Sequence, residues 1–319
     1  MKKFEHLSAT SIAQASSALA SENAWVISGG TDLLGWMKDG ILGDEYYPNL
    51  VIDLKTIPDT EYVREEDGVL KIGAGTKLVD IIDDETVKAK YPVLAQAAAK
   101  VSSPTVRHMG SIGGSINQLH RCWYFRNDGD RFHCFRKGGA TCFAMLGDHR
   151  YHSIMGPDSG CIAVHPSDIA PALVVLNATI VTNTRALPAE DFWQVNGPKS
   201  TALDQNEIVT EIQIPALPEG SKSAYMKFAQ RQTIDFPIVG CAVAITSEGA
   251  RICLSGVYPI PYRATEAEDV LAGGRIDASS AAAAGEAAVI NARPFPKNTY
   301  KVQIAKTLVA RTLLAAAAS

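Results

Sequence analysis

The stretch Trp25–Gly40 reads WVISGGTDLLGWMKDG. An apolar run ends in a Gly-Gly turn, and a helical pattern of apolar residues follows. Paired glycines let the backbone approach a ligand closely and take positive φ. Successive N–H groups at such a turn, with a helix N-terminus behind them, suit a pyrophosphate. A second turn of the same character, GSIGGS, stands at residues 110–115. Neither is a GxGxxG fingerprint or a Walker loop, and neither holds a lysine, which argues against ATP chemistry. Taken singly, each reads first as a tight structural turn. Two in one domain favour an extended dinucleotide lying between them.

Outward from this stretch, KKFEHL (2–7) reads as a strand, SATSIAQASSALAS (8–21) as a Ser/Thr-capped helix and NLVIDLKTI (49–57) as a strand. EYVREEDGVLKIGAGTKLVDII (61–82) gives two strands about an Asp-Gly turn, then a helix. Residues 93–101 read as a helix, 107–118 as a glycine-rich strand and turn, and 167–183 as a helix followed by a strand. Alternating helices and strands predict an α/β domain. Beyond about residue 220 the texture changes. Residues 222–245 and 250–264 read as antiparallel strands, and the Ala-rich remainder as helices with an amphipathic period. That pattern predicts a smaller α+β domain. No internal repeat is visible.

Length and charge set bounds. At about 100–200 residues per domain, 319 residues suggest two domains or three, with a core large enough to need no staples. A net charge of −4 argues against a general nucleic-acid or membrane-surface binder. No run approaches the ~20 apolar residues of a membrane span. The N-terminus has two lysines but no apolar h-region, so a cytoplasmic location is expected. A periplasmic one would require co-export with a signal-bearing partner.

The six cysteines are unevenly spread. Cys241 and Cys253 sit in apolar β-branched runs and read as buried strand residues. Cys122, Cys134, Cys142 and Cys161 fall within an irregular segment, residues 119–163, with the spacing C-x11-C-x7-C-x18-C. This segment holds seven of the 23 aromatics, four of the seven histidines, and six Arg/Lys against four Asp. A stretch that long without regular structure needs something to hold it. A metal centre on the four thiolates would do so. Ordinary buried thiols, a zinc site drawing on His120, His133 or His149, and an iron–sulfur cluster all compete here. The spacing is that of neither a zinc ribbon nor a bacterial ferredoxin. A 4Fe–4S cluster has the larger claim, because its ligands can come from loosely spaced positions and its negative charge would be offset by the basic residues. HPSDIAPAL (165–173) sets Ser167 and Asp168 before a helix, where either is an N-cap or Asp168 accepts a bond from a cofactor.

SGGTDLL, SIGGS, SDIAPAL and AYMKFAQR, in this order and spacing, resemble the FAD-binding subunit of the xanthine dehydrogenase and aldehyde oxidoreductase family. The resemblance covers nearly the whole chain. The cysteine-bearing segment resembles the subgroup whose flavin subunit carries an additional 4Fe–4S cluster, and RCWYFRNDGDRFHCFRKGG (121–139) is closer to the aldehyde and xanthine side than to the CoA-reductase side. The resemblance implies an α/β FAD-binding domain in two parts over residues 1–218, of the PCMH type, with the cysteine-bearing insertion 119–163. It implies a smaller α+β domain over 219–319, an antiparallel sheet plus helices of the CO dehydrogenase flavoprotein type. Its partners would be a 2Fe–2S subunit and a large molybdenum-cofactor subunit. Electrons would pass from substrate oxidised on the partner, through iron–sulfur clusters, to FAD and an external acceptor.

Residue by residue, the resemblance assigns Ile27, Ser28, Gly29, Gly30, Thr31, Asp32, Leu33 and Leu34 to the first FAD loop, and Ser111, Ile112, Gly113, Gly114 and Ser115 to the second. The family's Asn is replaced by Ser115, a shorter hydrogen-bonding group. Ser102, Asp168, Val209 and Lys227 match further flavin contacts, with Lys227 a cation that would stabilise reduced, anionic flavin. Cys122, Cys134, Cys142 and Cys161 match the cluster ligands. The alternatives are the flavin subunit of a hydroxybenzoyl-CoA reductase-like enzyme, with electrons flowing inward, and a zinc-stabilised binding module with no redox role.

Overall fold

The computed structural model describes residues 1–318. Its N-terminal layer is a three-stranded parallel sheet in which Leu50–Asp53 lies between Glu5–Ser8 and Ala24–Ile27. The crossover helix Ile12–Leu19 starts where the Ser11 side chain accepts the Gln14 N–H, satisfying one of the free donors of a helix start. The run predicted from WVISGGTDLLG is present as the strand Ala24–Ile27, the glycine turn and the helix Leu33–Asp39.

The second layer is a five-stranded sheet in the order Val63–Glu66, Val69–Gly73, Val209–Pro215, Thr179–Thr182, Ala186–Pro188. Val209–Pro215 runs antiparallel to both neighbours and shifts register between Val209 and Glu211. The hairpin at Asp67-Gly68 forms because both residues take positive φ, 51° and 75°, as a tight two-residue turn requires. Helices Leu78–Asp83, Pro92–Ala99 and Ile169–Val175 cover this sheet through a continuous core that includes Leu70, Ile72, Leu94, Leu173 and Ile212.

Residues 107–118 are not a strand and turn but parts of two short helices, Pro104–Met109 and Ile112–Ile116, started by Ser103 and Ser111. Helices of six and five residues are too short to show a 3.6-residue period.

The C-terminal unit is a four-stranded antiparallel meander, Lys222–Phe228, Val239–Thr246, Gly249–Ser255 and Tyr262–Arg263, followed by helices that include Ala278–Ala287 and Tyr300–Ala318. Its central strand is apolar on both faces because both are covered. Cys241 and Val243 pack on the C-terminal helices, whereas Ala242 and Ala244 join the core of the preceding unit. Cys241 and Cys253 are buried strand residues on opposite faces, as their context predicts. The sequence-derived fold class is therefore observed: a two-part α/β unit followed by a smaller α+β unit.

Residues 119–163 lie between Ile112–Ile116 and Ile169–Val175, with one four-residue α-helix, Phe143–Leu146, and two 3-10 turns. Leu119, Phe125 and Cys134 pack against Trp36, Met37 and Ile41 of the N-terminal layer. Tyr151, Ile154 and Met155 pack on the C-terminal unit. No helix among the described residues is long and apolar enough to cross a membrane.

Candidate functional site

Two loops that are 80 residues apart in the sequence are brought into contact. Residues 74–78 pair with the second glycine loop: Leu78 N–H donates to Gly110 O at 3.0 Å, Ile112 N–H to Thr76 O at 2.9 Å, and Gly113 N–H to Ala74 O at 2.9 Å. The first loop is pressed against the start of the second, at Met109 and Gly110. A Cβ on Gly29 would lie 1.9 Å from Met109 O, and one on Gly113 would lie 2.8 Å from Ala74 O. Both positions exclude a side chain because backbone already occupies its place. Gly30 takes a φ of +70°.

Between and beyond these loops runs a cavity of about 550 Å³, within the range of ligand pockets (~300–1,000 Å³). Of the residues assigned to FAD, Ile27, Ser28, Gly29, Gly30, Thr31, Asp32, Leu33, Ser102, Ser111, Gly113, Gly114, Ser115 and Val209 line it. The others do not. Leu34 is exposed on the outer side of its helix, and Ile112 is buried in the core. Asp168 and Lys227 lie outside the lining as a buried ion pair, Lys227 Nζ to Asp168 Oδ2 at 2.9 Å, with Tyr225 Oη donating to Asp168 Oδ1 at 2.5 Å. Burial pushes the Asp168 carboxyl above its usual range, against the pull of Lys227 and Tyr225. Ser167, not Asp168, caps the helix, accepting the Ala170 N–H. Lys227 also donates to Lys100 O, two residues before Ser102, so the pair braces the cavity wall from behind.

The cavity fits a dinucleotide on the chain's own chemistry. Ser115 Oγ is buried with no hydrogen-bond partner among the described residues, and Ser115 lines the cavity. Lys55, whose Nζ donates to Ser28 O at 3.2 Å, and Lys199, whose Nζ lies 5.3 Å from the Trp25 ring centroid, add cations to the wall. Burial lowers the Lys199 pKa. Neither lysine was assigned from the sequence. Lys55 follows the strand Leu50–Asp53 by two residues, a position that could have marked it, whereas Lys199 reaches the cavity only through the tertiary fold.

The cysteine-bearing segment forms a second centre. Cys122, Cys134, Cys142 and Cys161 are electrostatic neighbours: Cys161 and Cys134 raise the Cys122 thiol, and Cys142 raises those of Cys134 and Cys161. Burial pushes the Cys122 thiol up to about 12, and raises Cys134 and Cys161. Backbone N–H groups oppose this at three sulfurs. Tyr124 and Phe125 donate to Cys122, Arg136 to Cys134, and Ala163 to Cys161 at 3.3 Å. His152 Nε2 lies 3.2 Å from Cys122 Sγ. Among the described residues, no group of three or more His, Cys, Asp or Glu is gathered so that it could hold a metal ion. The four expected ligands thus share one neighbourhood without forming a closed ligand set.

Charge around these cysteines is unusual. Arg136 is buried, donating to Gly197 O, Lys199 O, Ser200 Oγ and, at 3.8 Å, Cys161 Sγ. It has no carboxylate partner among the described residues. Lys301 is also fully buried and bonded to carbonyls, including His152 O at 2.9 Å, and burial holds its pKa down to about 7. Lys137, by contrast, is paired with Asp130. Of the three histidines considered as zinc ligands, His120 packs on Phe125, His133 bonds Asp130, and His149 bonds Ala144 O and the Lys297 N–H.

The family model for the FAD binding domain in molybdopterin dehydrogenase matches residues 2–217. The chain belongs to that family. A second model, the CO dehydrogenase flavoprotein C-terminal domain, matches residues 224–316. The chain is similar to the aldehyde oxidoreductase FAD-binding subunit PaoB of Escherichia coli, 31% identical, with 100% of this chain and 99% of the relative covered. It is also similar to the carbon monoxide dehydrogenase medium chain of Hydrogenophaga pseudoflava, 29% identical over 98% and 97%. The solved carbon monoxide dehydrogenase from that organism superposes with a TM-score of 0.76 at 28% identity, covering 99% of this chain and 98% of that one. As a molybdopterin dehydrogenase FAD subunit, the chain is the FAD-dependent part of an oxidoreductase.

Proposed function

We propose that this chain holds both FAD and a 4Fe–4S cluster in a heteromeric molybdenum-containing aldehyde or N-heterocycle oxidoreductase. Its partners would be a 2Fe–2S subunit and a large molybdenum-cofactor subunit. The FAD-holding unit would span residues 1–218, with the cluster on its 119–163 insertion, and the smaller unit 219–319. The similarity to an aldehyde oxidoreductase subunit over the whole chain supports the aldehyde side. When bound, a flavin exchanges electron pairs and a cluster exchanges single electrons, so together they convert one regime into the other.

The chain's own residues prepare both sites. The Ser28–Thr31 and Ser111–Ser115 backbones would cradle the pyrophosphate, as fits the glycines that close contact requires. Ser102 and Val209 would wall the ring, with Asp168 and Lys227 holding the segment before Ser102 in place. Cys122, Cys134, Cys142 and Cys161 would ligate the cluster. The observation that carries this second assignment is Arg136. A buried guanidinium without a counter-ion costs several kcal/mol, and an anionic centre on the neighbouring thiolates would offset that cost. Backbone N–H groups aimed at three of the sulfurs favour the same charge state.

Anaerobic purification tests the reading. The expected sample has flavin absorbance above a broad iron–sulfur shoulder, with one FAD and about four irons per chain. A Cys134→Ser variant should lose the iron signal and keep its flavin. A colourless protein containing one zinc, or a yellow one without iron, would overturn the cluster assignment.

A further inference from the structure

We infer that Asp32 is a positioning residue that couples the flavin loop to the cysteine-bearing segment, so that occupancy of one site sets the affinity of the other. This rests on the proposal that the chain holds both groups. Asp32 stands in the middle of the first glycine loop, at the N-cap of Leu33–Asp39, yet its side chain makes no capping bond. Its carboxylate is directed instead to residues 119–126. Oδ1 receives Arg121 and Arg126, each at 2.8 Å, and Oδ2 receives the Leu119 N–H at 3.0 Å. Burial alone would raise this carboxyl, but the two guanidiniums and the N–H hold it below the usual carboxylate range.

Three donors on one carboxylate fix the relative position of two segments that are otherwise remote in sequence. Arg126 continues the fixation. Its Nε donates to His120 O at 2.8 Å, its guanidinium also reaches Leu119 O at 2.9 Å, and its N–H donates to Cys122 O at 2.9 Å. The first proposed cluster ligand is therefore held inside a turn whose far side is the flavin loop. On its other side that loop abuts Met109 and Gly110 without slack. A ligand that orders residues 28–34 must order 119–126 through Asp32. By linkage, ordering Cys122 must strengthen the loop's hold on its ligand by the same factor.

The test measures FAD dissociation constants by flavin fluorescence on the full chain, with iron present and after chelation, for the wild type, Asp32→Asn and Asp32→Glu. Circular dichroism confirms that each form is folded. In the wild type, removing iron should weaken FAD binding at least fivefold. In Asp32→Asn the difference should fall below twofold, and Asp32→Glu should restore part of it. If Asp32→Asn does not fold, Arg126→Gln removes the other half of the contact and carries the same expectation. A wild-type protein whose FAD affinity changes less than twofold on iron removal, or variants that keep the full difference, would overturn the inference. A wild-type chain that never holds iron would instead overturn the cluster assignment.

Discussion

Substituting Gly29 by alanine puts the flavin loop under a defined stress. The new methyl would lie 1.9 Å from Met109 O, 2.6 Å from Met109 C and 3.0 Å from Gly110 Cα. All three are backbone atoms, so no side chain can swing aside. To bring the closest contact to 3.0 Å, one loop must retreat from the other by at least 1.1 Å. Overpacking of this kind costs about 1–3 kcal/mol. Gly29 and Gly110, which would be pushed apart, both line the cavity, so the loss should appear chiefly in cofactor retention. A weakening of FAD binding by ten- to hundredfold corresponds to about 1.4–2.7 kcal/mol. The assay is flavin per chain after gel filtration, with the dissociation constant from titration of the apoprotein. Gly35→Ala is the matched control. Gly35 lies within Leu33–Asp39 with no heavy atom within 4 Å of the new methyl, and should gain about 0.5–1 kcal/mol from reduced backbone freedom. Full flavin content and an unchanged melting temperature in Gly29→Ala would refute the contact between the loops.

Two further outcomes follow from buried charge. Arg136→Met should lower the midpoint potential of the proposed cluster by tens of millivolts, on the order expected for removing a nearby cation, or reduce iron per chain. Redox-titrated electron paramagnetic resonance and iron analysis read both, and an unchanged potential with full iron would count against Arg136 as the counter-charge. Glu207 is held down to about 2, first by its bond to Arg185 and then by the Asp204 N–H and the Thr182 and Thr184 hydroxyls, against its own burial. A depressed carboxylate contributes stability above its ordinary pKa and loses it as pH falls. That contribution should therefore fade between about pH 4.5 and pH 2. Glu207→Ala strands those donors, costing about 1–3 kcal/mol at pH 7. Melting curves of the two proteins should converge toward pH 2, and parallel curves would refute the assignment.

Much of the candidate site is written locally. The strand–turn–helix around Ser28–Thr31 and the glycine turn at 110–115 announce themselves because paired glycines act over three or four residues. The change of texture near residue 220 is equally legible, since the apolar, strand-forming run of Val239–Thr246 and its neighbours replaces the earlier alternation of helices and strands. The short helices at 104–116 escape such reading, because two turns of backbone cannot display a period. The roles of Asp168 and Asp32 escape it for another reason. Both are acidic residues in ligand-like contexts, but one is spent on Lys227 and Tyr225 and the other on Arg121 and Arg126.

The amino-acid order by itself determined the longer elements, the two glycine loops and the gathering of four cysteines into 40 residues, because each depends on neighbours in the chain. Only the tertiary structure decided that Gly29 meets Met109, that Lys55 and Lys199 line the cavity, and that Arg136 is buried beside Cys161 with no carboxylate partner among the described residues. Those outcomes are set by which distant surfaces share a core and by what charge is left unpaired when they do. Desolvation and Coulomb energy depend on separation in space, and separation along the chain does not report it.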